Sequence, residues 1–343
     1  MSLDRFDGRS HDRERTVADV LLDVLDVHPG VPVLVADDAF KFVGDSLHED
    51  GHSIQRWWRV ATEQHGADVW PSSGPYQAAT LRLSKDKGAF EMAISALASV
   101  LKPGAPIWVY GANDEGIKSA HKRLTPWFTE AETIDTRRHC RVIRATRSHE
   151  TECLRSSLGD WLRTVNLAFP DGDIVHQSYP GVFAKGTLDP GTALLLSVLP
   201  PPAKSSHILD YACGAGVIGG AVQRWDKSVQ LTLIDADAVA VDVAQKNVPN
   251  AVVEVGADPM NIGHHAPFDL IVSNPPIHDG KERNYRVVRR LIESAARHLK
   301  PGAALWMVVQ RQVPVADPLH THLAAATCVI DDGRFQVWRA IRS

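Results

Sequence analysis

Leu101-Lys-Pro-Gly-Ala-Pro-Ile-Trp-Val109 reappears downstream as Leu299-Lys-Pro-Gly-Ala-Ala-Leu-Trp-Met307, at an offset of 198 (299 − 101). A second pair, Val142-Ile-Arg-Ala145 and Val337-Trp-Arg-Ala340, recurs at nearly the same offset, 195 (337 − 142). Two matches at one spacing imply two copies of one architecture. Each copy has a helical apolar period, over residues 90–100 and 287–298, stopped by Pro-Gly. Each then has a short apolar strand, 107–110 and 305–309, and ends in β-rich segments near 139–146 and 334–341 that read as a closing hairpin. Strands alternating with helices predict a mostly parallel, doubly wound α/β sheet in each copy. The segment around residues 148–173 carries few periodic signals and reads as the connector, giving domains of 1–150 and 151–343.

The copies differ where a ligand binds. In the second, Ser206-His-Ile-Leu-Asp-Tyr211 is a strand running into Ala212-Cys-Gly-Ala-Gly216. In the first, the strand Val31–Ala36 meets Asp37-Asp-Ala-Phe40, which has no glycine turn. Glycine lets a ligand approach the backbone, and carboxylates do not. The first copy therefore reads as structural or substrate-binding and the second as catalytic.

Gly214 and Gly216 fall at a strand-to-helix turn, the position where open α/β sheets bind ligands. Asp235 ends the next strand, placed to accept from both ribose hydroxyls, with Ala236 beside it. Asp258, after the strand Val252–Val255, is placed to accept from an adenine amino group. Two cofactor classes fit this much. Gly214-Ala-Gly-Val-Ile-Gly219 matches the dinucleotide fingerprint of nicotinamide enzymes. Asn274-Pro-Pro276, at the carboxyl end of the strand beginning at Phe268, instead suits S-adenosylmethionine enzymes that act on planar amino groups.

Asp210-Tyr-Ala-Cys-Gly-Ala-Gly-Val217, Asp235 and Asn274-Pro-Pro-Ile-His-Asp-Gly280 resemble class I methyltransferases of the Asn-Pro-Pro type. Tyr179-Pro-Gly-Val-Phe183, Leu188-Asp-Pro-Gly-Thr192 and His278-Asp-Gly280 narrow the resemblance to the ribosomal RNA small-subunit methyltransferase C family, over nearly the whole chain. The resemblance implies two tandem Rossmann-like domains, the first degenerate, with S-adenosylmethionine as cofactor. It also implies methylation of the N2 amino group of a guanine in 16S ribosomal RNA. The alternatives are a large-subunit guanine-N2 enzyme, which shares the motifs, and an inactive methyltransferase-fold RNA-binding or assembly protein.

On that footing, the Asn274 side-chain oxygen and the Pro275 carbonyl are the acceptors for the two amino protons, with Pro276 completing the turn. Asp210, Ala212, Gly214, Gly216, Asp235, Ala236, Asp258 and Asn274 line the cofactor. Gly191 and Thr192, after the helix start at Asp189-Pro190, border its methionine end. Ile277, Phe183, His278, Arg283 and Arg286 are the substrate-side candidates. Four positions depart from the family pattern: Ala212 replaces glycine, which is compatible with a negative φ; Ile277 replaces an aromatic residue; and Gln310-Arg311 replaces a small polar pair.

Composition sets the outer limits. The 343 residues carry 37 basic and 41 acidic side chains, a net charge of −4, so any RNA contact comes from local basic surface. The candidate surfaces are Arg137, Arg138, Arg141, Arg144 and Arg147, and Lys281, Arg283, Arg286, Arg289, Arg290 and Arg297. No apolar run reaches the ~18–20 residues of a membrane span, and residues 1–15 are too charged for a secretory leader. Four cysteines without CxxC spacing exclude a disulfide scaffold or zinc ribbon. A cytoplasmic monomer, acting on ribosomal RNA or the small ribosomal subunit away from any membrane, is the expectation. No metal is expected either: HExxH is absent, and His264-His265 and His320/His322 have no thiol or carboxylate at ligand spacing. Gly111–Ser119 misses a P-loop because Ile117 separates Gly116 from Lys118, and no GxSxG elbow exists. Cys213 reads as packing.

Overall fold

A computed structural model describes residues 4–150, 154–169, 172–182, 187–262, 264–265, 267–276 and 281–343, with side chains described for all of these except 4–9, 259–260 and 281–284. Phe183, Ile277 and His278 lie outside the described residues, as does the side chain of Arg283. The chain divides into two compact units: one comprises residues 1–59 and 68–162, the other residues 60–67 and 163–343.

The first unit contains α1 (Asp4–Leu22), β1 (Val33–Ala36), α2 (Phe42–Glu49), β2 (Ile54–Trp57), β3 (Ala78–Arg82), α3 (Lys87–Val100), β4 (Pro106–Ala112), α4 (His121–Leu124), β5 (Phe128–Arg137) and β6 (Cys140–Arg147). Its sheet runs β2-β1-β3-β4-β6-β5, parallel except for β6, which is antiparallel to its neighbours β4 and β5. The four residues of β1 are all buried, as expected of a parallel strand covered on both faces. Asp86 starts α3 by accepting from Gly88 N and Ala89 N at 2.8 and 2.9 Å, which places the helix start three residues before the apolar period at Phe90.

The place of a glycine turn after β1 is taken by two carboxylates used internally. Asp37 accepts from Arg59 N (3.1 Å) and Asp38 from Gly44 N (2.9 Å). Burial pushes the Asp38 carboxyl up to about 6. The backbone amides that would meet a ligand here are already bonded to the protein's own side chains.

The second unit contains β7 (Arg163–Leu167), β8 (Ile174–Ser178), α5 (Pro190–Val198), β9 (His207–Tyr211), α6 (Val217–Trp225), β10 (Gln230–Asp235), α7 (Ala238–Asn247), β11 (Val252–Val255), β12 (Phe268–Ser273), α8 (Lys281–His298), β13 (Leu299–Gln310), α9 (Ala316–His322), β14 (Ala324–Asp331) and β15 (Phe335–Ile341). The sheet order is β11-β10-β9-β12-β13-β15-β14, and only β15 is reversed, running antiparallel to its neighbours β13 and β14. The repeated motifs fall on β4 and β13 and on β6 and β15, equivalent places in the two sheets. The expected pair of doubly wound α/β sheets with terminal hairpins is present, and the first sheet is one strand shorter.

Alternation along the strands builds two core layers. Leu209, Ile271 and Met307 face α8 through Val288, Leu291, Ile292 and Ala295. Their neighbours Ile208, Val272, Trp306 and Val308 pack on α5 and α6 through Leu195, Leu199, Ile218 and Val222.

Three details differ from the sequence reading. The supposed connector contains β7, which pairs with β8 in a separate antiparallel ribbon. Pairing in the final strand of the repeat begins at Leu299 opposite Phe268, so Lys300-Pro-Gly302 lies within β13, beside a register shift, rather than before it. Arg147 is no surface cation: it is 2% exposed, and its Nε donates to Ala98 O at 2.7 Å. Others of the basic groups are also engaged. Arg137 pairs with Asp23 and Asp135, Arg141 bonds Asn113, and Arg289 pairs with Glu293.

Candidate active site

The sheet order puts β9 and β12 side by side, so the turns after both open on the same carboxyl edge. Ser273 Oγ donates to Tyr211 O at 2.7 Å and ties the two strand ends together. Asp189, Thr192, Ala212, Cys213, Gly214, Ala215, Val217, Ile218 and Asn274 line the crevice that results.

The turn after β9 is strained at its first residue. Ala212 has φ 58°, Gly214 54° and Gly216 79°. A negative φ at Ala212 was the condition under which alanine fitted comfortably, and the structure does not meet it. The chain must leave β9 sharply while Cys213 N still donates to Ile234 O (3.1 Å). A left-handed alanine costs ~1–2 kcal/mol that glycine would not. Gly216 is needed for a different reason: a Cβ there would stand 3.1 Å from Val248 Cγ2 and 3.3 Å from Leu233 Cδ2. Its place is in the packing beneath the turn, and it does not line the crevice.

Two carboxylates, Asp210 buried and Asp235 half-buried, set the electrostatics. Asp210 is fully buried; Oδ2 accepts from Gly219 N at 2.9 Å, and Oδ1 has no hydrogen-bond partner. Burial pushes its carboxyl up to about 7. Asp235 Oδ2 accepts from Gly214 N (2.8 Å) and Oδ1 from Asp237 N (2.9 Å). Burial raises it to about 6. Each carboxylate oxygen accepts more than one hydrogen bond, so Asp235 keeps acceptor capacity for a vicinal diol while holding the turn.

Asn274 presents to the crevice an amide held by two hydrogen bonds. Its Nδ2 donates to Asp189 Oδ2 and to Thr192 Oγ1, both at 2.9 Å. Asp189 is an acceptor-only carboxylate, so the amide cannot be flipped. With both N–H protons committed, the atom left to a ligand is the carbonyl Oδ1. Asp189 also caps α5, accepting from Thr192 N at 2.9 Å, with Pro190 in the first helical turn. Its hold on Asn274, 85 residues away, had no sequence signal beyond the cap. Pro275 is buried and Pro276 exposed.

Of the remaining candidates, Thr192 lines the crevice and is 5% exposed. Gly191 does not line it, and a Cβ there would meet Asp189 Oδ2 at 3.1 Å. The Ala236 carbonyl accepts from Ala61 N (2.8 Å), and Val60 forms a bridge with Asp237. Residues 60–67 thus belong to this unit, which sequence reading missed. Asp258 is ion-paired to Arg290, which also pairs with Glu63. Arg286 is exposed on α8. Cys213 is buried, and burial holds its thiol well above the usual range, so it serves as packing.

Asp210 is 0% exposed and does not line the crevice; the glycine turn, the Asp235 carboxylate bonded to it and the fixed amide carbonyl of Asn274 are what fit a nucleoside cofactor beside a planar amino group.

Comparisons with known proteins agree. Residues 173–339 match the methyltransferase small domain family, and residues 48–164 its N-terminal domain family. A ribosomal RNA small subunit methyltransferase C from Hahella chejuensis is 30% identical over 275 residues, covering 79% of each chain. One from Pseudomonas aeruginosa is 32% identical over 281 residues, covering 80% of this chain and 82% of its own. The solved T. thermophilus 16S rRNA N2 methyltransferase in complex with AdoMet and guanosine shares the fold at a TM-score of 0.83 and 19% identity, over 96% of this chain and 92% of its own. The dinucleotide reading of Gly214–Gly219 falls with these matches: by its sequence relatives, the chain belongs to the ribosomal RNA small subunit methyltransferase C family.

Proposed function

We propose that this protein transfers the methyl group of S-adenosylmethionine to the N2 amino group of a guanine in 16S ribosomal RNA, acting in the cytoplasm. The observation that carries the reading is the fixed amide of Asn274, whose Nδ2 is committed to Asp189 and Thr192 and whose carbonyl is left as an acceptor at the edge of the glycine turn. Relatives bearing the small-subunit name over about four fifths of the chain support that subunit over the large one.

When bound, S-adenosylmethionine supplies a methyl on a cationic sulfonium that leaves as a neutral thioether. Asp235 receives the ribose hydroxyls, and the Gly214 backbone admits the nucleoside. Thr192 borders the methionine side. The guanine amino nitrogen is a weak nucleophile because its lone pair is delocalised into the ring, so the protein's task is alignment rather than strong-base catalysis. Asn274 Oδ1 and the Pro275 carbonyl accept the two amino protons and aim the lone pair at the methyl carbon. Proline serves the second position because it fixes the turn and brings no N–H of its own. As the N–C bond forms, one amino proton is released to solvent. The base must leave any stacked helix to reach this edge.

Asp189 is the positioning residue of this arrangement, and its variants separate position from fold. Asp189→Ala removes the helix cap, at a cost of about 1 kcal/mol of stability, and frees Asn274 to rotate; kcat is expected to fall ~10-fold or more. Asp189→Asn keeps an acceptor for both Thr192 N and Asn274 Nδ2, so most of kcat should return. Equal kcat in the two variants would remove Asp189 from the mechanism.

The assignment as a whole is tested by incubating the protein with methyl-tritiated S-adenosylmethionine and small ribosomal subunits, deproteinised 16S RNA, large subunits or total protein, followed by nucleoside analysis. The expected product is N2-methylguanosine from small-subunit RNA. Label in large-subunit RNA or in protein, or none at all, would overturn the proposal.

A further inference from the structure

Glu254 in β11 and the adjacent pair His264-His265 are ten and eleven residues apart, a spacing that suggested nothing in the sequence. The fold closes the loop between them so that three ligand atoms converge. His264 Nε2 lies 3.1 Å and His265 Nε2 2.8 Å from the same Glu254 oxygen, and all three ligand atoms lie within 4.8 Å of one another. The two imidazole rings face the carboxylate together, their centroids 4.0 Å apart.

The surroundings orient the two rings toward the carboxylate. His264 Nδ1 is 3.1 Å from Asn261 O. A carbonyl only accepts, so Nδ1 donates there, and Nε2 is the nitrogen turned to the carboxylate. His265 Nε2 is buried and lacks a well-formed hydrogen bond despite its short distance to Glu254. A ring nitrogen held by a backbone carbonyl while its partner nitrogen points at a ligand cluster is the usual outer support of a metal-binding histidine.

We propose that Glu254, His264 and His265 bind one divalent transition ion of the zinc class. Two imidazoles and one carboxylate suit a borderline ion, whereas magnesium and calcium prefer all-oxygen shells. Tetrahedral zinc with bonds of about 2.0–2.2 Å sets its ligand atoms roughly 3.3–3.5 Å apart, so the cluster need open by only a few tenths of an ångström. His264 is 60% exposed, which leaves the fourth position to water. The ion would close a ring around the loop that carries Ala257, whose carbonyl accepts from the Tyr211 hydroxyl (3.2 Å), and Asp258, the partner of Arg290. Metal would therefore staple the loop that follows β11.

The test uses the full chain, freed of metal by chelation and then titrated with ZnCl2 in a calorimeter. Parallel CoCl2 titration would read tetrahedral coordination from visible absorption. One equivalent of zinc should bind, with slower amide exchange across residues 256–262. His264→Ala, His265→Ala and Glu254→Gln should each weaken binding at least ~10-fold while melting normally in chelator. No stoichiometric binding, or equal binding in all three variants, would show that the three side chains only bond one another or that zinc sits elsewhere among the 16 histidines. Either result, or unchanged exchange of the loop on binding, overturns the proposal.

Discussion

Asn274→Ala should lower kcat for methyl transfer by about 100- to 1000-fold while leaving the dissociation constant of S-adenosylmethionine within about threefold of the parent. The size follows from removing a preorganised acceptor at the atom where positive charge develops. The selectivity follows from geometry: Asn274 grips nothing on the ribose side, and Asp189 still has Thr192 N as a donor when the amide is gone. Asn274→Asp is informative because it is ordinarily a mild exchange. Here it would place a second carboxylate at hydrogen-bond distance from Asp189 Oδ2, where the parent has a donor at 2.9 Å, and the resulting repulsion should make it as damaging as alanine. Single-turnover rates with labelled cofactor, set beside calorimetric affinities, decide the matter. An alanine variant with near-parental kcat would mean that the amino group is held by something else.

Asp235→Ala should fail at the opposite step, weakening S-adenosylmethionine binding by at least about 100-fold. Two charge-assisted hydrogen bonds to ribose hydroxyls are each worth roughly 1.5–3 kcal/mol, and both vanish. The backbone donors Gly214 N and Asp237 N, now bonded to this carboxylate at 2.8 and 2.9 Å, also lose their acceptor, so the turn loosens as well. Asp235→Asn retains one carbonyl acceptor and should fall between alanine and the parent. Protonation gives an independent check. Burial lifts the free carboxyl to about 6. Donors from the ribose favour the charged form, so parental affinity should drop as pH is lowered through that value, and the alanine variant should lose this dependence. A flat parental profile together with undiminished affinity in the variant would remove Asp235 from the cofactor site.

What the sequence disclosed was local. The glycine turn, the acidic residue ending β10, Asn-Pro-Pro after β12 and the Pro-Gly repeats each declare themselves within a few residues, because turn chemistry and strand periodicity are short-range properties. What it withheld depends on partners brought together by the sheet. Nothing near Asp189 announces that its carboxylate orients an amide 85 residues on. Arg147 reads as one more cation in a basic strand, yet alternation turns it inward and a helix carbonyl receives it. Ala212 shows how a residue choice can mislead: alanine suggests an ordinary backbone, while the exit from β9 imposes a left-handed one. β7 has a burial pattern with a single fully buried position, so it had too little apolar rhythm to register as a strand.

The placement of residues 60–67 within the second unit constrains how the chain can be made. Ala61 leaves the ribosome 175 residues (236 − 61) before Ala236, the carbonyl it bonds. At ~5–20 residues per second, that strap waits roughly 10–35 s for its partner. The amino-terminal half therefore emerges with a short stretch of backbone it cannot itself satisfy, and nascent-chain folding closes only when the glycine-turn half arrives to claim it.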